Sequence, residues 1–529
     1  MNRGDTKLQP SRRRFLKGAA GTAFFAATLP IHRAAWAAGI DGSCETLRAA
    51  ITGYDVINTL DPARASQLPE FYVLWGMYNS LLKFNENMEI VPDLAESWEA
   101  VSPTVWRFKL RQGVKFHDGV EVTAEDVVFS LERVKNEDFG SPHRSKYERV
   151  IDVRAIDDYT VEIETESPFA PLLSYLTNTR TGSQIVPKHI LAETDDLRFP
   201  DNPIGTGAFR LRSLESGIGA TLDAHPEYFE QGMPRISRVE MPLISEESSG
   251  VTALLGGNID LTSTAPFADV PELEGNPDVV VHSAPGMNTR FIHMNNRVAP
   301  FDDPHFRRAI SLAFDREVMV RAVVFGEGTP ANGIVPSALS WAHRDERRSL
   351  LQHNQERALE ELAKSRYKAE DQDATVLTWG GNWWQRFAEV FVDMVNGALG
   401  TRFRVEVTDA NAVYSRLQDG DFEASIWGWL GLIDPDEYLY ENLHTNGWRN
   451  YQGYSNPEVD RLLEQARSEM DQPARGEIYR QAEDLVVEDA PLIFCFESNV
   501  HNLASPRVEG FRQLPYSAYG SQFAGVTDC

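Results

Sequence analysis

From residue 374 onward, apolar runs of strand length alternate with longer segments of helical period: a strand over 374–379, a helix over 384–399, a strand over 403–407 and another over 422–429. Such alternation points to an α/β arrangement with a largely parallel sheet, because each helix returns the chain to the same edge before the next strand begins. Helix starts on either side carry their own signals. Asp303 precedes Pro304 and the inward set Phe306, Ile310, Ala313 and Phe314, and Asn456 precedes Pro457, Val459, Leu462 and Leu463. An Asp or Asn at the cap accepts orphan N–H groups, and a proline at the first helical position gives up a donor that had no partner.

The first half reads differently. A strand over 46–51 leads through Leu60, Asp61 and Pro62 to an apolar segment, 71–82, expected as helix. Trp106, Phe108 and Leu110 alternate with Arg107, Lys109 and Arg111, the period of a strand with one buried face. Gly113 is expected to turn the chain so that Val114 and Phe116 continue as a hairpin. Thr123 can cap a helix with Asp126 three residues on and Val127, Val128 and Leu131 inward, and Val161 with Ile163 marks a further strand. These pieces make 84–202 a small α+β unit. Asn202, Pro203, Gly205 and Gly207 then punctuate the chain before a strand over 208–214, as at a domain exchange. Neither an internal repeat nor a low-complexity tract is found.

The N-terminus is built for export. Ser11-Arg12-Arg13-Arg14-Phe15-Leu16-Lys17 is followed by an apolar stretch with Phe24, Phe25 and Leu29 and by Ala35-Trp36-Ala37, the order of a twin-arginine signal peptide over 1–37 with cleavage after Ala37. The stretch is too short and too diluted by Gly18, Gly21 and Thr22 for a membrane span, which takes about 20 apolar residues. Removing its seven Lys/Arg and one Asp takes the net charge from −27 to −33. Acidity of that order argues against nucleic acid and anionic membrane surfaces as partners. The three cysteines are too few for a disulfide scaffold; Cys44 and Cys529, near the mature ends, are a possible pair or two free thiols, and Cys495 lies in an apolar run as a core thiol.

Signatures of catalysis are missing. The chain has no Gly-x-Ser-x-Gly elbow, no phosphate loop, no His-Glu-x-x-His and no Cys-x-x-Cys, and Gly205-Thr206-Gly207 lacks the third glycine of a dinucleotide turn. None of the twelve histidines stands three or four residues from another, as a metal pair on one helix face requires. An enzyme and a bound cofactor are therefore not expected.

Three stretches carry a resemblance: Val91 to Trp98, Trp106 to Gly119 and Val122 to Ser130. With Asn202 to Phe209, Phe306 to Ile310, Gly428-Trp429 before Asp434-Pro435, and Tyr454 to Asp460, the chain resembles the extracytoplasmic solute-binding proteins of ABC importers, family 5, the peptide, nickel and opine binders. The resemblance implies a bilobed periplasmic-binding-protein fold of the class II type with an extra α+β domain in the first lobe. It assigns 38–83, 203–291 and 496–529 to the core of lobe 1, 84–202 to the extra domain, and 292–495 to a second lobe that closes on ligand. It further implies a monomer in the periplasm that hands a peptide to a permease of two transmembrane subunits driven by cytoplasmic ATPase subunits. An opine, an oligosaccharide or a nickel–metallophore complex is the alternative cargo, and a periplasmic chaperone or sensory binding protein the alternative role.

Ligand contacts are expected where loops leave the carboxyl ends of parallel strands. There the sequence crowds Trp379, Trp383 and Trp384 after one strand and Trp427 and Trp429 after another, with Asn382 as a polar neighbour. From the first lobe, Glu70 and Tyr72 match a segment that contacts ligand in the family. Peptide binders of the family carry an aspartate shortly after the Gly-Trp pair for the peptide's ammonium group. Here Leu432 takes that place, so either Asp434 serves or the ligand has no free amine.

Overall fold

The computed structural model describes residues 45–529 apart from 195–198, 200, 347, 430–432 and 517–518, with backbone alone at 382, 521, 522 and 524. The export segment, Cys44, Leu432 and the side chain of Asn382 thus lie outside the described residues.

Two long strands, Val280–Met294 and Leu492–Ala504, pair antiparallel in the middle of an eleven-stranded sheet. Outward on one side follow Leu261–Thr262, Thr46–Thr52, Arg238–Ile244, Gly219–Ala224 and Phe209–Glu215; on the other, Ala424–Gly428, Thr375–Trp379 and Arg404–Thr408. These flanks are the sheets of the two lobes. Within each flank, Thr46–Thr52 and Thr375–Trp379 run parallel to both neighbours. The expectation of a largely parallel sheet fails at the centre, because one long strand carries the chain out of the first lobe and the other brings it back, and each meets its flank antiparallel. Their register slips between Pro285 and Thr289 and again between Arg290 and Phe291. A bulge of this kind adds local twist to the paired strands.

The resemblance-bearing stretch forms a separate four-stranded antiparallel sheet in the order Ala95–Ser102, Val105–Leu110, Thr160–Thr165, Val150–Asp157, covered by the helix Ala124–Lys135. Thr123 and Asp126 close the expected capping box on that helix. Val114 and Phe116 do not pair back onto Val105–Leu110, which already has a partner on each side; they are buried beside Lys115, which bridges Glu121 antiparallel, and pair with Val122 and Val120 in a small hairpin of their own.

Helix starts at Asp303 and Asn456 are as expected, each side chain accepting backbone N–H groups of its first turn. The helix expected over 71–82 instead spans Leu68–Met77 and stops. Tyr78 leaves the helix in extended backbone, and the next two residues are held by a buried carboxylate, Asn79 donating to Asp93 at 2.9 Å and the Ser80 N–H at 3.1 Å. One apolar core fills the first lobe around Phe71, Val73 and Leu74, and another runs continuously from the four-stranded sheet into the second lobe. No described helix is long and apolar enough to cross a membrane.

Candidate functional site

The strand Thr375–Trp379 ends on Trp379, and Gly381, at φ +90°, turns the chain into the helix Asn382–Leu399, whose first turn carries Trp383 and Trp384. The parallel strand Ala424–Gly428 ends beside it and delivers Trp427 and Trp429 to the same edge. The five indoles form one wall. Trp383 stacks on Trp384 with centroids 4.1 Å apart, Trp384 meets Trp379 at 4.3 Å, Trp379 meets Trp427 at 5.5 Å, and Trp427 meets Trp429 at 5.8 Å.

Two cavities lie against this wall. The smaller, about 450 Å³, is lined by Tyr54, Tyr72, Glu247 and Phe267 on one side and by Arg290, Trp383 and Trp384 on the other. The larger, about 550 Å³, is lined by His143, Lys146 and Arg180 facing Trp379, Trp384, Trp427 and Trp429. Trp384 borders both. Contacts between the lobes shut the cleft over them: Lys146 pairs with Glu437, Ser174 Oγ donates to Asp434 at 2.8 Å, the Ala170 N–H donates to the Arg467 carbonyl at 2.8 Å, and Arg149 meets Glu464 at 3.3 Å.

The two carboxylates of the larger cavity are paired within the protein. Besides Lys146, Glu437 accepts the Ile433 N–H at 2.8 Å. Glu441 lies 2.7 Å from Arg449, whose guanidinium sits 4.0 Å from the Trp429 ring; burial raises the Glu441 carboxyl's pKa, and Arg449 opposes that shift. The smaller cavity differs. Arg290 and Glu247 both line it, and among the described residues neither has an ion-pair partner. Burial lowers the Arg290 guanidinium to about 9, still cationic at neutral pH. Burial raises Glu247, which Thr264 Oγ1 partly offsets by donating at 3.0 Å.

Of the residues expected to touch ligand, Tyr72, Trp383 and Trp384 line the smaller cavity and Trp384, Trp427 and Trp429 the larger. Glu70 lines neither. Its carboxylate accepts the N–H groups of Ser66 at 2.7 Å and Gln67 at 2.9 Å, closing the first turn of its own helix. Asp434 also departs from expectation as an ammonium anchor: fully buried, it caps the helix Pro435–Leu443, pairs with Arg475 and accepts from Ser174. No lone pair of Asp434 is left facing the cleft. Cys529 is disulfide-bonded, Cys495 is a buried free thiol, and Cys44 lies outside the described residues.

Sequence reasoning missed Arg290, Glu247, Lys146, Arg180 and Arg449. For Arg290 a signal was present, a charge standing immediately before Phe291, Ile292 and Met294 of the same strand. Nothing local marked the others, which reach the cleft only through the folding of distant segments.

The family model of the bacterial extracellular solute-binding proteins, family 5 (middle), matches residues 89–450. The "Probable D,D-dipeptide-binding periplasmic protein DdpA" of Escherichia coli K12 is 29% identical over 471 residues, 86% of this chain and 89% of the relative. The oligopeptide-binding protein AppA of Bacillus subtilis is 27% identical over 461 residues, 83% and 84% of the two chains. Among solved structures, the ABC transporter-associated periplasmic binding protein DppA from Helicobacter pylori, in complex with the peptide STSA, superposes with a TM-score of 0.77 at 23% identity over 91% of this chain and 98% of that one.

Proposed function

The chain belongs to the bacterial extracellular solute-binding proteins of family 5, and on that premise we propose that it is the periplasmic substrate-binding component of an ABC importer, capturing a di- or oligopeptide between its lobes. One observation carries the reading: two adjoining cavities, about 450 and 550 Å³, share the Trp384 ring and open along one wall of stacked indoles. Their sizes are those of small-ligand sites, about 300–1,000 Å³. The aromatic wall offers broad apolar contact to side chains, and the smaller cavity presents both signs of charge, Arg290 and Glu247, as a zwitterion requires.

Closing the lobes takes the ligand out of water, which strengthens each polar contact to it without any covalent step. In this reading 38–83, 203–291 and 496–529 make the first lobe, 84–202 its added domain and 292–495 the second lobe. The chain leaves the cytoplasm by the twin-arginine route, is cleaved after Ala37, and acts as a monomer that presents its closed form to the permease. Tyr72, Trp383, Trp384, Trp427 and Trp429 are the contacts proposed here, together with Asn382 and Leu432.

The test is a thermal-shift screen of residues 38–529 against mixed di- and tripeptides, opines, oligosaccharides and nickel complexes. A ligand that binds only the folded state raises Tm by mass action. A shift with peptides supports the reading. A shift confined to one of the other classes replaces peptide by that class.

A further inference from the structure

Arg290 is 3% exposed, and its surroundings hold its guanidinium in place without neutralising it. Nη1 donates to the Trp429 carbonyl at 3.1 Å, and the guanidinium carbon lies 5.1 Å from the Trp383 ring and 5.3 Å from the Trp384 ring. Nε has no hydrogen-bond partner, and among the described residues no carboxylate lies within ion-pair distance. Space for the side chain comes from Gly428 on the neighbouring strand, where a Cβ would stand 2.7 Å from Arg290 Cδ and 2.8 Å from the Thr289 carbonyl. Ring faces and one carbonyl return less than the loss of water around a full charge takes away. A buried cation kept under those terms at the wall of a cavity has its counter-charge supplied from outside the chain.

We propose that Arg290 is the anchor for a carboxylate of the bound ligand, which sits in the smaller cavity against Trp383 and Trp384. That the anion is a carboxylate rests on the peptide reading above. The acids facing the larger cavity are already paired, Glu437 with Lys146 and Glu441 with Arg449, whereas Arg290 at the smaller one has no carboxylate within ion-pair distance among the described residues. The geometry suits the assignment: one end of the guanidinium is fixed by the Trp429 carbonyl and the stacked indoles, so little side-chain freedom is lost when the anion arrives.

The experiment uses residues 38–529 and a mixed di- and tripeptide library offered as free acids and as C-terminal amides, read by calorimetry on the wild type, Arg290→Gln and Arg290→Lys. The free acids should bind the wild type at least about tenfold tighter than the amides, the value of one charge-assisted contact. Arg290→Gln should abolish that difference, and Arg290→Lys should restore part of it. Equal binding of acids and amides by the wild type, or an acid preference that survives in Arg290→Gln, overturns the anchor while leaving the peptide reading standing. Should no peptide bind, that reading falls, and 3-phenylpropionate against 3-phenylpropanamide judges the anchor by thermal shift. A rise in Tm with the acid alone, absent in Arg290→Gln, supports it, and no such difference overturns it.

Discussion

Arg475 and Arg290 are both buried guanidiniums, 5% and 3% exposed, and the fold treats them in opposite ways. Arg475 is paired with Asp434 and donates to the Tyr479 hydroxyl at 2.9 Å; burial pushes its pKa down, but the charges of Asp434, Tyr479 and Asp436 together with the hydrogen bond to Asp434 outweigh that, and the net shift is upward. Arg290 has two indole faces and a carbonyl, and burial carries its pKa down to about 9 unopposed by any carboxylate. The first is an internal pair that holds the second lobe together and, through Ser174, touches the first. The second is an open valence at the cleft. A buried charge with a partner reports on architecture; one without reports on what the protein waits for.

The sharpest way to break this contrast is Asp434→Ala. If Asp434 is architectural, its removal strands Arg475 and uncaps the helix Pro435–Leu443, costing about 3–5 kcal/mol in urea unfolding. An intact stability with a weakened ligand affinity would return Asp434 to the role of ligand anchor. Arg290→Gln should show the reverse pattern, near-wild-type stability with lost affinity.

That contrast also marks the limit of what the sequence discloses. The Trp pairs after 374–379 and 422–429 were legible because strand periodicity locates carboxyl-terminal loops, and the wall they form is made by the parallel pairing of those two strands. Caps at Asp303, Asn456 and Thr123 were legible because capping is chemistry of adjacent residues. For Asp434 and Glu70 the partner of each carboxylate is invisible from its neighbours' periodicity, Arg475 lying 41 residues from Asp434 and Glu70 turning back on the backbone of Ser66. Arg290 could be seen as a misplaced charge, but its lack of a counter-ion is a property of the whole cleft. The stop of the helix at Met77 likewise depends on Asp93, a residue whose pull on Asn79 no propensity encodes.

Histidines answer burial in a third way, by giving up the proton that arginine keeps. Burial lowers His143 and His293 to about 3 each; His143 Nε2 lies 2.7 Å from the Ala65 carbonyl, and His293 Nδ1 lies 2.9 Å from Gln452 Oε1. The unfolded chain protonates them near 6.5, so their contribution to stability is complete above that pH and is lost progressively as pH falls from about 6.5 toward 3. At pH 4.5 each should cost about 2–3 kcal/mol relative to pH 7. Asp93, raised to about 6 chiefly by burial, works the other way, since the folded state takes up its proton first and gains stability as pH falls from about 6 to 4. Urea unfolding at pH 7 and 4.5 should therefore show a net loss, and a His293→Gln variant should show a smaller one. An equal loss in the variant would mean that His293 is accessible to protons in the folded state.

Gly428→Ala sharpens the comparison from the side of Arg290. The new Cβ cannot coexist with Arg290 Cδ at 2.7 Å and the Thr289 carbonyl at 2.8 Å, so the arginine must leave its place or the strands must separate. Overpacking of this kind costs about 1–3 kcal/mol. If Arg290 holds the ligand, affinity should fall at least about tenfold along with it, whereas a variant that binds as before would show that the guanidinium's position is immaterial.

The smallest effect belongs to Ser174→Ala, and it separates the two duties of the Asp434 pair. Ser174 lies in the short helix Leu172–Tyr175 beside the four-stranded sheet, and its hydroxyl reaches across the cleft to Asp434 at 2.8 Å. Arg475 still neutralises the carboxylate when that donor is removed, so the second lobe keeps its internal pair and loses only a tie to the first. One hydrogen bond to a charged group is worth about 1.5–3 kcal/mol at most, and less where the cleft can open and water can take the donor's place. Global unfolding should therefore change by no more than about 1 kcal/mol, while small-angle scattering of the unliganded variant should show a larger radius of gyration than the wild type. Identical scattering would mean that closure rests on Lys146 with Glu437 and on Arg149 with Glu464, leaving Asp434 a part of the second lobe alone and the contrast with Arg290 complete.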